Sequence, residues 1–75
     1  MSLEEIFADV FTIPQSTVVD GLALEDIPTW DSMAHMQIIV RLEESYQVQF
    51  NGDEIANIRT VADARAALIA LGVKL

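Results

Sequence analysis

The sequence predicts an all-α fold: a small four-helix bundle, with three main helices and one short one. Three observations carry that expectation. Apolar residues recur at i, i+3, i+4 and i+7 in separate stretches, the period of helices with one buried face. Ser2–Glu5, Asn51–Glu54 and Thr60–Asp63 each place a capping side chain three residues before an acid, the spacing of a helix N-terminus. Strand signals are weak and turn-paired hairpins are absent. Faces of this kind find burial only against one another.

The first helix is expected over about residues 2–12. Leu3, Ile6, Phe7, Val10 and Phe11 form its buried stripe, and Pro14 stops it. Residues 13–30 show no helical period and are punctuated by Pro14, Gly21 and Pro28. So long a connection in a compact domain is usually functional. Val18, Val19, Leu22, Leu24, Ile27 and Trp30 suggest a loop pinned to the core at intervals, and residues 16–20 leave open a short helical turn. The second helix starts at Asp31 or Ser32, with Asp31 as N-cap, and runs to about Tyr46. His35, Ile39, Leu42 and Tyr46 fall on its core-facing stripe, with Met36 and Ile38 at the edges. Met33, Gln37, Val40 and Glu44 form a partly exposed strip beside it. Val48–Phe50 is extended, and a helix of one or two turns follows through Ile55 and Ile58. The last helix buries Val61, Ala64, Leu68 and Leu71 and stops at Gly72.

Seventy-five residues make one domain, 1–75. A domain of that size buries only about 60% of the surface its unfolded chain exposes. With no Cys, neither a disulfide nor a thiolate zinc site helps. The core must come from hydrophobic side chains alone. No apolar run approaches the roughly 18 residues of a membrane span. No basic segment leads into an apolar one as in a secretory signal. A cytoplasmic monomer without membrane insertion is expected. Twelve acids against four Lys and Arg give a net charge of −8. That argues against nucleic-acid binding, which needs clustered Lys and Arg, and disfavours anionic membranes. It suits docking on basic patches of partner proteins, although solubility alone would also account for it.

Thr29–Met36 is the stretch around which the chain is organised. Ser32 stands in the first turn of a helix, behind a capping acid. Backbone N–H groups there lack partners and the helix dipole is positive. An attached phosphate would be stabilised at such a place. Asp31-Ser32-Met33, with Val40, Leu42-Glu43-Glu44 and Tyr46 behind it, resembles the Asp-Ser-Leu motif and following helix of the acyl carrier protein family. The four-helix outline, long first loop and acidity extend that resemblance over the whole chain.

The resemblance implies a freestanding acyl carrier, not an enzyme. Ser32 would receive a 4′-phosphopantetheine arm from coenzyme A, through a phosphopantetheinyl transferase, with Asp31 in support. The arm would hold an acyl or related intermediate as a thioester. Met33, Gln37, Val40 and Glu44 would face acyl-loading and acyl-processing enzymes with basic docking patches. Fatty acid, polyketide or related specialised biosynthesis would be its setting, and aminoacyl and glyceryl-type cargoes remain open. The chain departs from the family at Met33 for Leu, at Thr29 and Trp30 before the acid, and at Arg41, which adds a positive charge to the partner face.

Asp31 and Ser32 as a helix cap and nothing more would leave a helical protein–protein adaptor without modification. Ser32 with His35 as nucleophile and base lacks a third orienting group and a deep cleft. His35 reads as a core-edge histidine, and a lone His makes a poor metal ligand. Trp30 is either a partner anchor or a plug between loop and helix. Met33 reads as surface and Met36 as core edge. Arg59 reads as a cap for carbonyls of the short helix. Glu43 belongs either to a solvated face or to a docking surface.

Overall fold

Every helix starts at a side-chain cap, and the caps fix where the elements begin. The computed structural model describes residues 1–75. The helices are α1 (Leu3–Phe11), α2 (Ser32–Tyr46), α3 (Gly52–Asn57) and α4 (Val61–Ala70). Two 3-10 turns, Gln15–Thr17 and Leu24–Asp26, interrupt the first connection. No helix is long and apolar enough to cross a membrane. Full capping boxes open α1 at Ser2 and Glu5, α3 at Asn51 and Glu54, and α4 at Thr60 and Asp63. In each, the cap side chain accepts a backbone N–H while the acid reaches back to the cap's own N–H.

The core holds 16 residues, all hydrophobic, and no polar side chain is buried with them. Each large apolar side chain removed from water contributes roughly 1.5–3 kcal/mol, and without disulfides this burial must offset the chain's ordering. From α1 come Leu3, Ile6, Phe7 and Phe11, with the two phenyl rings 6.0 Å apart. Val10 is half-buried. The helix ends at Thr12, whose φ of 55° is left-handed and whose N–H donates to the Ala8 carbonyl. The stop is therefore made before Pro14.

Helix α2 buries Ala34, Ile38, Ile39 and Leu42. Its core face is rotated from the expected stripe. His35 and Tyr46 are only half-buried, and Met36 is 47% exposed instead of lying at the core edge. Ala34 accounts for the rotation: a methyl group carries little hydropathic weight, yet it is buried on the core face. Burial pushes the pKa of the Tyr46 hydroxyl up, and the nearby Glu4 charge adds to this. In α4, Val61, Ala64 and Leu68 are buried, but Leu71 is 39% exposed. It stands at the C-cap, where the chain leaves the helical path before Gly72 at φ 93°.

The first connection is tied down by backbone as much as by side chains. Val18, Leu24 and Ile27 are buried, whereas Val19 and Trp30 lie at the surface and pin nothing into the core. Thr29 Oγ1 donates to the Phe11 carbonyl at 2.6 Å. The carbonyls of Asp20 and Leu22 accept the N–H groups of Ala62 and Val61 at 3.0 and 3.1 Å. Leu24 N–H donates to the Arg59 carbonyl at 2.9 Å, and Ala23 pairs with Thr60 in an isolated antiparallel bridge. The loop thus closes the start of α4. After α2, Glu43 accepts the Phe50 N–H at 2.9 Å, so its carboxylate is structural. Arg65 on α4 binds Glu4 on α1 and, at 3.1 Å, Asp20 in the loop. The Arg65 hydrogen bond is the main reason the Glu4 carboxyl lies below its ordinary range.

Candidate functional site at the start of the second helix

Asp31 is the cap of α2. Its Oδ1 accepts the Ala34 N–H at 2.7 Å, and its carbonyl accepts the His35 N–H at 2.9 Å. Position N3 of this helix is Ala34, which has no side chain to reach back, so no capping box forms. Ser32 is the first helical residue and is exposed. Its hydroxyl makes no hydrogen bond, and the N–H groups of Ser32 and Met33 have no partner within the chain. The cap reading therefore belongs to Asp31 and leaves Ser32 unexplained. Helices α1, α3 and α4 carry acids in their first turns, whereas α2 carries none. Beyond its capping carboxylate, the positive end of α2 is uncompensated.

Trp30 and His35 frame the serine. Trp30 Nε1–H donates to His35 Nδ1 at 3.2 Å, with the rings edge-on at 87°. An indole nitrogen only donates, so Nδ1 is the acceptor and the ring proton belongs on Nε2. That Nε2–H donates to the Ile55 carbonyl at 3.0 Å. Both ring nitrogens are thus committed, and His35 is not a base for Ser32. The Ile55 bond also reassigns the capping of α3. His35 meets a carbonyl of the short helix, whereas the Arg59 side chain makes no hydrogen bond to it. A contact across 20 residues left no local signal in the sequence.

A cleft of about 590 Å³ opens beside Ser32, between the Leu24–Asp26 turn, the start of α2 and the end of α3. Leu24, Trp30, Met36 and Ile58 supply most of its apolar wall. Ser32, His35, Glu25 and Arg59 bring polar groups to it. A second, shallower groove of about 550 Å³ lies between α1 and α2. Met33, Gln37 and Val40 line it together, with Met36 between the two hollows. Glu44 is exposed on α2 beyond the groove and makes no ion pair. Arg41 does not give this face the free positive charge expected of it, because its Nη1 binds Asp9 at 2.8 Å.

No family model matches the chain. Among curated proteins it is 36% identical over 62 residues to an acyl carrier protein of Acidothermus cellulolyticus, covering 83% of this chain and 74% of that one. An acyl carrier protein of Kineococcus radiotolerans is 33% identical over 64 residues, covering 85% and 79%. One from Tropheryma whipplei is 33% identical over 69 residues, covering 92% and 84%. Among solved structures, a candidate acyl carrier protein from Mycobacterium tuberculosis superposes with a TM-score of 0.79 over 93% of this chain and 99% of that one. At 22% identity this likeness speaks for the fold. The curated relatives span most of both chains at more than 30% identity, and by them the chain belongs to the acyl carrier protein family.

Proposed function

We propose that Ser32 is where this carrier receives its arm, and that the chain holds an acyl or related intermediate there as a thioester. In the loading step Ser32 Oγ attacks the pantetheine-side phosphorus of coenzyme A. A phosphodiester forms, the pyrophosphate bond breaks, and adenosine 3′,5′-bisphosphate leaves. A base on the phosphopantetheinyl transferase takes the hydroxyl proton. The observation that carries this reading is the open start of α2. An exposed, unbonded hydroxyl sits beside two free backbone N–H groups on the helix whose first turn carries no acid. Those groups suit a phosphodiester anion.

Asp31 supports the site by holding the first turn in place. Met33, Gln37 and Val40, along the groove, and Glu44 beyond it are the surface that partner enzymes read. Loading and processing enzymes with basic patches are the partners, steered by the net charge of −8. The tethered intermediate acts at a high effective concentration in each partner's site. Biosynthesis of fatty acids, polyketides or related specialised products is the setting. His35, with both nitrogens bonded, leaves the chain without a base of its own for ester hydrolysis.

The test is intact mass after incubation with coenzyme A and a broad-specificity phosphopantetheinyl transferase. A gain of one phosphopantetheine in the wild type and none in Ser32→Ala is the expected result. An unchanged wild-type mass would count against the carrier reading, and a gain that survives Ser32→Ala would count against the site.

A further inference from the structure

The chain has few cations, and its arginines are not equivalent. Arg41 is bound to Asp9, and Arg65 to Glu4 and Asp20. Arg59 is in no ion pair, although acids outnumber Lys and Arg by 12 to 4. Its backbone is fixed at both polar groups. The N–H donates to Asp63 Oδ2 at 3.0 Å, and the carbonyl accepts the Leu24 N–H at 2.9 Å. The side chain therefore springs from a held position, and it lines the same cleft as Ser32. Asp63, the carboxylate next to it, is already engaged by the N–H groups of Arg59 and Thr60. Glu25 lines the cleft too but is not bonded to Arg59.

We infer that Arg59 recognises an acidic group at the far end of the cargo, so that the cleft selects acyl groups bearing a second carboxylate over plain alkyl chains. This rests on the carrier reading of Ser32. A guanidinium fork binds a carboxylate through two parallel N–H···O bonds. A tether at Ser32 presents such a group to the cleft at high local concentration, so a contact too weak to act between free molecules is populated. The apolar wall, whose exposed part comes from Trp30 and Met36, takes the methylenes between thioester and carboxylate. Glu25 repels the same anion and so confines it to the Arg59 side.

The experiment uses the full chain, loaded at Ser32 from succinyl-coenzyme A or from butyryl-coenzyme A by a broad-specificity transferase. The two cargoes share a four-carbon acyl length and differ in the terminal charge. Intact mass confirms each loading, and nitrogen–proton correlation spectra follow. The Arg59 Nε–H signal should shift on succinyl loading relative to butyryl loading. The accompanying succinyl-specific shifts of the Leu24 and Thr60 amides should vanish in Arg59→Gln and persist in Glu25→Gln. Equal shifts with both cargoes would show that Arg59 answers to the arm's phosphodiester, and would overturn the inference. Absence of any shift on confirmed succinyl loading would overturn it too. Failure of both cargoes to load would instead remove the carrier reading on which it stands.

Discussion

At the start of α4 the N–H groups of Arg59, Thr60, Val61, Ala62 and Asp63 all have partners: Asp63 itself, the Leu22 and Asp20 carbonyls, and Thr60 Oγ1. At the start of α2 the N–H groups of Ser32 and Met33 have none, and the side-chain cap is a single bond that the Ala34 N–H donates to Asp31 Oδ1. Both are helix N-termini in one small protein, built from similar residues. The difference lies in what surrounds them. The long first loop is folded over α4 and supplies two of its acceptors. The start of α2 is left facing solvent, with a hydroxyl on it and a cleft beside it. Leu3 of α1 and Gly52 and Asp53 of α3 also have N–H groups without partners, so α2 is set apart by a first turn without an acid, an exposed hydroxyl and the cleft beside it.

That contrast can be broken at either end. Ser32→Ala should have the largest effect on chemistry and almost none on the fold. Modification is lost altogether, while unfolding free energy stays within about 0.5 kcal/mol of wild type, as for a surface residue without partners. Intact mass and urea titration read the two halves of this statement. Asp63→Ala should be the largest structural effect. It strips the acceptor from two N–H groups at the closed end, at a cost of about 2 kcal/mol. Thermal unfolding should show it as a fall of very roughly 10 °C. Asp31→Ala removes one cap bond at the open end and should cost about 1 kcal/mol. It should also slow arm attachment, because the turn that holds Ser32 frays. If Asp31→Ala proved more damaging to stability than Asp63→Ala, the contrast between the two ends would be wrong.

Acid gives the smallest and most selective effect. Glu4 has its carboxyl held below its ordinary 4.5, first by the Arg65 hydrogen bond. A group depressed in the folded state contributes stability that is present above its unfolded value and lost as pH falls through its folded value. Stability should therefore decline below about pH 4.5, and the Glu4→Gln variant should show a shallower decline. Arg65 joins α1, the loop and α4, so amide exchange should rise first around residues 20–24 and 61–65, ahead of the start of α2.

The parts of this molecule that were legible in the sequence are the local ones. Three capping boxes span four residues each and appear in the structure as read. Asp31 as cap and Ser32 at the first turn were equally legible, because the spacing itself defines them. The rotation of α2 was not, since Ala34 weighs little on any hydropathy scale and buries because of what faces it. Nor was the commitment of His35, whose partners are Trp30 and the carbonyl of Ile55. A backbone carbonyl carries no residue identity, so nothing in the letters marks it as a partner. The same holds for the loop carbonyls on α4. The partner of Arg41 was not legible either, since Asp9 lies on α1, 32 residues away in the chain.

The antiparallel bridge between Ala23 and Thr60 has a consequence for altering this scaffold. A long surface connection is ordinarily where insertions and tags are tolerated. Here the connection has two halves of different character. Around Gln15–Val19 the side chains are exposed apart from Val18, and extra residues would bulge outward. Between Asp20 and Leu24 the backbone is in register with α4, and one added residue would carry a carbonyl away from Val61 or Ala62. Fusion partners and labels belong on the first half. The second behaves as a piece of the last helix that happens to be encoded forty residues early.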